Sequence, residues 1–457
     1  MKFVVKVSGD EISFSSLEDV MKSEYGRLFS LVNDKLILKT RSLSERFFIH
    51  KSDAILTISD NLKKVVEDVE ARIYQPSIEF YKKYGFIIPP FTQYQNVFLT
   101  VPNFEYKIGN TITYNQITPS FSHSGTDSCS ILTDSLTAFF KSFLSNKLTL
   151  LVSGGIDSSA LLGFLSKSGK VKSSVMCKMS SLPDEEKLAQ SLCKKVDVPF
   201  KLIDLDLDLT ERAVELISET GELISDPISV IFPEVFDHLG GGDKVLYLVD
   251  GQGADSLLNG LPLNKVYNLW SKLKYIRYLL LPLTMLPVYK DKSTPLKRKI
   301  YRITKAIKSI SQTDFRKSIL TVMTESEGEG GELEAYFLED IKDLHCYFDD
   351  WHTVIRYIYL YRVLPAREMQ KYLLADKYNI KIVAPFLDEQ VIKILFPITN
   401  DQTIHKGLYK FPITKMAQTY WPGYFETSKT SPFQVNFKIG TSNLKQYSID
   451  FINKNVT

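Results

Sequence analysis

The segment Leu148-Thr-Leu-Leu-Val-Ser-Gly-Gly-Ile-Asp-Ser-Ser-Ala-Leu-Leu-Gly-Phe-Leu165 constrains the fold more than any other stretch of the chain. Leu148 to Val152 carry no charge and read as a short strand buried on both faces, the form strands take in a parallel sheet. Ser153, Gly154 and Gly155 then strip bulk from the turn, so backbone N–H groups can approach an anion closely. Ser158, Ser159 and the apolar run that follows begin a helix, whose N-terminus favours negative charge. Asp157 is out of place in that positive setting unless a cation accompanies it, and Mg²⁺ bridging it to phosphate resolves the conflict. No lysine follows the glycines, so this is not a GxxxxGK[ST] loop.

A second βαβ rhythm follows: Ser174 to Met179 is β-like, Asp184 to Lys194 helical, and Phe200 to Asp204 β-like again. Alternation of this kind predicts an α/β fold, a parallel sheet with covering helices. At 457 residues the chain suits two or three domains. Lys plus Arg number 56 against 53 for Asp plus Glu, an excess of 3 that gives no global pull toward nucleic acid. Cys129, Cys177, Cys193 and Cys346 lack CxxC spacing and read as reduced packing residues, and the histidines form no zinc pattern. Acidic residues interrupt the start where a signal peptide would stay apolar, and no apolar run reaches the roughly 18 residues of a membrane span. The expectation is a cytoplasmic protein.

The loop Ser153 to Ser159 resembles the SGGxDSS loop of the ATP-pyrophosphatase superfamily, with its adenine nucleotide alpha hydrolase-like fold. Its members cleave ATP between the α and β phosphates and activate a carboxyl or carbonyl oxygen as an adenylate. Three later segments narrow the resemblance. Gly251-Gln-Gly-Ala-Asp255 is similar to the GxGxDE segment of asparagine synthetases and β-lactam synthetases, Val383-Ala-Pro-Phe-Leu-Asp388 to their VPFLD, and Glu222-Leu-Ile-Ser-Asp-Pro227 to their EPxxDPS. The resemblance implies ATP and Mg²⁺ as cofactors. It implies a nucleotide site made of Val152, Ser153, Gly154, Gly155, Asp157, Ser158, Ser159, Met179, Gly251 and Gly253, with Asp157 and Asp255 on the metal. Val152 and Met179 read equally well as core, and Asp226 and Asp388 as helix caps or turn acids. Lys410 and Lys429 resemble the late lysine pair, which steadies charge on adenylate and pyrophosphate, although the K-x-x-x-F spacing after Lys429 departs from the usual K-x-x-F. A solvated lysine is the competing reading at each.

Other departures redirect the function. Asparagine synthetases carry an N-terminal glutaminase whose terminal cysteine releases ammonia, whereas the first cysteine here is Cys129. Residues 1–120 are therefore expected to form a truncated, inactive, α+β glutaminase-like module, and 121–457 the synthetase domain. Ser256 replaces the Glu after the second aspartate, and Val383-Ala384 lack the arginine of V-R-V-P-F-L-D, both against free aspartate as substrate. What remains resembles lasso-peptide cyclases and β-lactam synthetases, which make an amide within one molecule. In the latter a Tyr and a Glu deprotonate the amine, for which Glu368 with Tyr357, Tyr361 or Tyr372 are the candidates; a surface role for Glu368 competes. The expectation is an AMP-forming, glutamine-independent amide ligase acting on a carboxylate substrate and an amine acceptor. Macrolactam formation on a precursor peptide, with its protease or leader-binding protein as partner, is favoured. A small-metabolite ligase, an ammonia-fed synthetase and an ATP-binding pseudoenzyme remain open.

Residues 272–340 read as a helical, basic insertion. From Lys290 to Lys308 eight basic residues face one acid, Asp291, and Leu296, Ile300, Ile303, Ile307 and Ile310 keep a helical spacing. The expected role is packing on the synthetase domain with a solvated basic face; contact of 272–310 with a peptide or an anionic membrane surface is the less favoured reading. Glu325 to Glu334 read as a flexible acidic loop, and the tail after about Phe433 as peripheral.

Overall fold

The computed structural model describes residues 1–457 apart from 8–9, 33–34, 41, 44, 68, 70, 118–126, 144–146, 179–182, 206–209, 241, 243, 275, 286–294, 327, 425–440 and 456–457. Met179 and Lys429 lie outside the described residues.

The second half is built on five parallel strands: β1 (Leu148–Leu151), β2 (Val171–Lys178), β3 (Phe200–Asp204), β4 (Leu246–Val249) and β5 (Ile380–Val383), in the order β3-β2-β1-β4-β5. Leu148 and Leu150 of β1 are fully buried, as are Leu248 and Val249 of β4, which fits strands covered on both faces. The helices α1 (Ile156–Lys167), α2 (Pro183–Lys195) and α3 (Thr210–Thr220) connect the strands. Strand order reverses between β1 and β4, which pair directly through Leu148↔Tyr247 and Leu150↔Val249. Chains leaving neighbouring strands in opposite directions open a crevice at the carboxyl ends, the usual ligand position in such sheets. The turns carrying Asp157 and Asp255 follow β1 and β4 and so face each other across that crevice.

Strands from Lys2–Val7 to Ile112–Gln116 form two further sheets, one of five strands with a single parallel pair and one of four antiparallel strands. This N-terminal part is fastened to the segment leading into the crevice. Arg46 grips Glu222 with its two terminal guanidinium nitrogens and donates from Nε to the Pro365 carbonyl at 3.0 Å. Gln93 donates to Gly221 and Tyr81 to Ile224 at 2.6 and 2.5 Å. Arg362, fully buried, pairs with Asp340 at 2.7 Å and lies over the Phe104 ring.

Two sequence readings are corrected. Glu325 is pinned rather than free: its N–H donates to Lys83 at 2.8 Å and its carboxylate pairs with Arg367 and Lys445. Later in that acidic run, Glu332 and Glu334 stand in the first turn of the helix Gly331–Phe348, where acids meet the favourable end of the dipole. The tail is not peripheral, since the helix Thr441–Asn455 buries Leu444, Ile449 and Ile452.

Candidate active site

A cavity of about 360 Å³ opens at the carboxyl ends of β1 and β4. Its first wall is the turn after β1. Gly154 has φ 71°, and a Cβ there would meet the Glu185 carbonyl at 2.7 Å, so only glycine fits. Ser158 closes the turn, accepting from the Ser153 N–H at 3.1 Å and donating to the Gly155 carbonyl at 3.2 Å. Gly155 caps α1 and, having no side chain, satisfies none of the first N–H groups of the helix, the groups that receive an anion at such an end. Val152, Ser153, Asp157 and Ser158 line the cavity. Ser159 does not: it is 2% exposed, and its carbonyl accepts from the Trp421 indole at 2.7 Å.

The second wall is the turn after β4, with Asp250, Gly251, Gln252, Gly253, Asp255 and Ser256. A Cβ at Gly251 would lie 3.4 Å from the Asp157 Cβ, so the two turns come into close contact. Gly253, at φ 96°, starts the short helix carrying Asp255.

Lys410 joins the two turns. Its Nζ lies 2.6 Å from Asp157 Oδ2 and 2.9 Å from Asp255 Oδ1. A side chain at Gly260 would collide with both Asp255 and Lys410. Burial pushes the Asp157 carboxyl up, the Lys410 charge pulls it down and Asp255 pushes it up again, with a net rise. Lys410 is raised despite its burial, because two carboxylates favour the ammonium. A cation between these acids is what electrostatics requires, and here the chain supplies it.

The third wall carries Glu368 and Lys371. Gln252 spans them, donating to Glu368 and accepting from Lys371 Nζ at 2.5 Å. Burial, then the nearby Asp226, push Glu368 up to about 7, against the pull of Lys371 and Arg367. Lys371 also pairs with Asp250 at 2.9 Å, and Tyr372 donates to the same carboxylate. Burial alone would raise Asp250, but these partners prevail and lower it. Of the tyrosine candidates, Tyr372 sits one residue from the cavity wall, whereas Tyr357 and Tyr361 are buried against each other and line no part of it. Asp226 and Asp388 both act as caps, Asp226 accepting from the Ile228 N–H and Asp388 from the Gln390 and Val391 N–H groups.

Sequence reasoning passed over Asp250, Gln252 and Lys371. Asp250 was visible as the acid ending an apolar strand, and Lys371 as a cation one helical turn after Glu368.

The family model described as asparagine synthase matches residues 144–456, well over half of the chain and all five parallel strands. The chain belongs to the asparagine synthase family. A comparison with curated proteins finds no match. Asparagine synthase-family proteins are ATP-dependent amide ligases that generally use Mg²⁺, and the match supports an enzyme of this class. The residues present fit the metal. Among the described residues no group of three or more His, Cys, Asp or Glu is gathered for an ion, but Mg²⁺ bound with a nucleotide needs only one or two carboxylates beside phosphate and water. Asp157 and Asp255 supply two, and among the described residues Asp157 Oδ1 is buried with no hydrogen-bond partner, an acceptor a divalent ion would satisfy.

Proposed function

We propose that this asparagine synthase-family protein adenylates a carboxylate and joins it to an amine without using glutamine, releasing AMP and pyrophosphate. The observation that carries the reading is the meeting of Asp157 and Asp255 on one cation, Lys410, beside the glycine turn at the head of α1.

In this reading the Ser153–Ser159 turn and the N-terminus of α1 receive the pyrophosphate part of ATP, and Asp157 with Asp255 hold Mg²⁺. Bound there, the ion neutralises phosphate charge. A substrate carboxylate oxygen attacks the α phosphorus, the α–β linkage breaks, and an acyl-adenylate remains. The amine nitrogen then attacks the acyl carbon, the bond to the AMP oxygen breaks, and the nitrogen loses a proton. Glu368, on the cavity wall and able to change charge near neutrality, takes that proton. Lys410 and Lys429 counter the charge that develops on phosphate. Holding acid and amine in one cavity replaces a supply of ammonia by proximity. Within this class we favour macrolactam formation on a small peptide. Ser256 and Val383-Ala384, which remove the acid and the arginine expected around free aspartate, support a substrate other than aspartate.

The test incubates purified protein with Mg·ATP and a panel of carboxylates, including peptides with a free amine and a side-chain acid. Release of AMP and pyrophosphate, with loss of one water from the peptide, is the expected result. ADP and phosphate as products, or turnover that appears only with glutamine, would overturn the reading.

A further inference from the structure

The segment after the cavity wall exposes an apolar surface that the synthetase fold does not use. In the turns Ile276–Tyr278 and Leu281–Met285 and the residues between them, Tyr278 is 61% exposed, Leu279 81% and Met285 88%. The Leu281–Met285 turn packs against the helix Pro295–Ile310. That helix was expected to bury its apolar seam on the domain. It does so only at its C-terminal end, where Ile310 is buried; in the earlier turns Leu296, Ile300 and Ile303 face solvent. These three follow a spacing of four and three residues and share one helix face.

The charge carried by this helix itself is of one sign. Lys297, Arg298, Lys299, Arg302, Lys305 and Lys308 all lie in the same helix, which contains no acidic residue. Lys272, Lys299 and Arg302 are exposed. Long aliphatic side chains and cations on one amphipathic helix are the composition that settles into the headgroup region of an anionic bilayer. No described helix is long and apolar enough to cross a membrane, so the contact is one of surface attachment.

We propose that Leu279, Met285, Leu296, Ile300 and Ile303, with Lys272, Lys299 and Arg302, form a docking surface for an anionic lipid bilayer. The helix Pro262–Lys272 starts beside Leu261 on the cavity wall and ends at this surface. Its 11 residues span about 16 Å, so docking brings the cavity to within one short helix of the lipid. The proposal stands apart from the ligase reading, because binding is read without catalysis.

Co-sedimentation of the full chain with vesicles tests it. Equal parts phosphatidylglycerol and phosphatidylcholine should capture the protein at low salt, phosphatidylcholine alone should not, and raised salt should release it. Leu279→Ser with Met285→Ser should weaken capture roughly tenfold or more. Lys299→Glu with Arg302→Glu should weaken it about fivefold for each charge removed. Circular dichroism and a thermal melt confirm that these surface variants fold like the parent. No capture by the anionic vesicles, capture unchanged in both variants, or self-association that Leu279→Ser with Met285→Ser abolishes in the absence of lipid binding would each overturn the proposal.

Discussion

Lys410 and Asp157 stand 253 residues apart in sequence, yet Nζ and Oδ2 meet at 2.6 Å, with Asp255 on the other side of the same ammonium. Two strand ends and one late turn thus deliver two acids and a cation to a single point. Burial raises the Asp157 carboxyl, with Asp255 and Asp250 adding to the rise, against the pull of Lys410.

Replacing Lys410 tests that balance without a substrate. Lys410→Met leaves two carboxylates together with no resident cation, which should cost about 3 kcal/mol in the absence of divalent ions. Mg²⁺ should stabilise this variant more than it stabilises the parent. Thermal denaturation in chelator and in Mg²⁺ measures both quantities, and equal Mg²⁺ effects in the two proteins would contradict the expectation.

Asp157→Ala should lower pyrophosphate release by about a hundredfold or more, the scale on which removal of one transition-state charge partner acts. The variant should still fold, because the turn is held by Ser158 and the glycines rather than by the carboxylate. Retention of full turnover would refute the role.

Glu368 should set a pH dependence. With its acid shifted up to about 7, a general base there is ionised only above that value. The rate should therefore rise through pH 7 and level off above it, and Glu368→Gln should remove the rise. Stability should move the other way. The folded carboxyl holds its proton more tightly than an unfolded one near 4.3, so its destabilising effect is absent at low pH and grows between about 4.3 and 7. Glu368→Gln should accordingly melt above the parent at pH 8 and level with it near pH 4, as a melting series across pH would show.

Arg46→Ala should destabilise the protein by about 3–5 kcal/mol, since it strands the buried Glu222 carboxylate. The double change Arg46→Leu with Glu222→Leu should recover most of that loss. Urea unfolding of the three proteins gives the comparison.

The sequence disclosed the parallel sheet and the two acid-bearing turns because their signals are local: an apolar run, glycines and an acid within a dozen residues. Lys410 was found through a remote likeness, but its partners could not be, since the Lys410–Asp157 contact is set by the way β1, β4 and the helix Phe411–Tyr420 pack. Lys371 and Gln252 were passed over for the same reason, as neither belongs to a local motif and their contact spans 119 residues. Glu325 looked like part of a mobile acidic tip because its neighbours are Ser, Gly and Glu, while the cations that hold it, Arg367 and Lys445, come from elsewhere in the chain. Ser159 differs from its neighbours in the motif. Helical rotation turns it away from the cavity into the core, where its carbonyl accepts from the Trp421 indole.

The pairing of two carboxylates on one divalent ion is tested most directly by Mn²⁺ binding in the presence of α,β-methylene-ATP, followed by electron paramagnetic resonance. The parent should bind nucleotide-dependent Mn²⁺, and both Asp157→Asn and Asp255→Asn should weaken that binding by about tenfold or more. Mn²⁺ affinity unchanged in both variants would contradict the account.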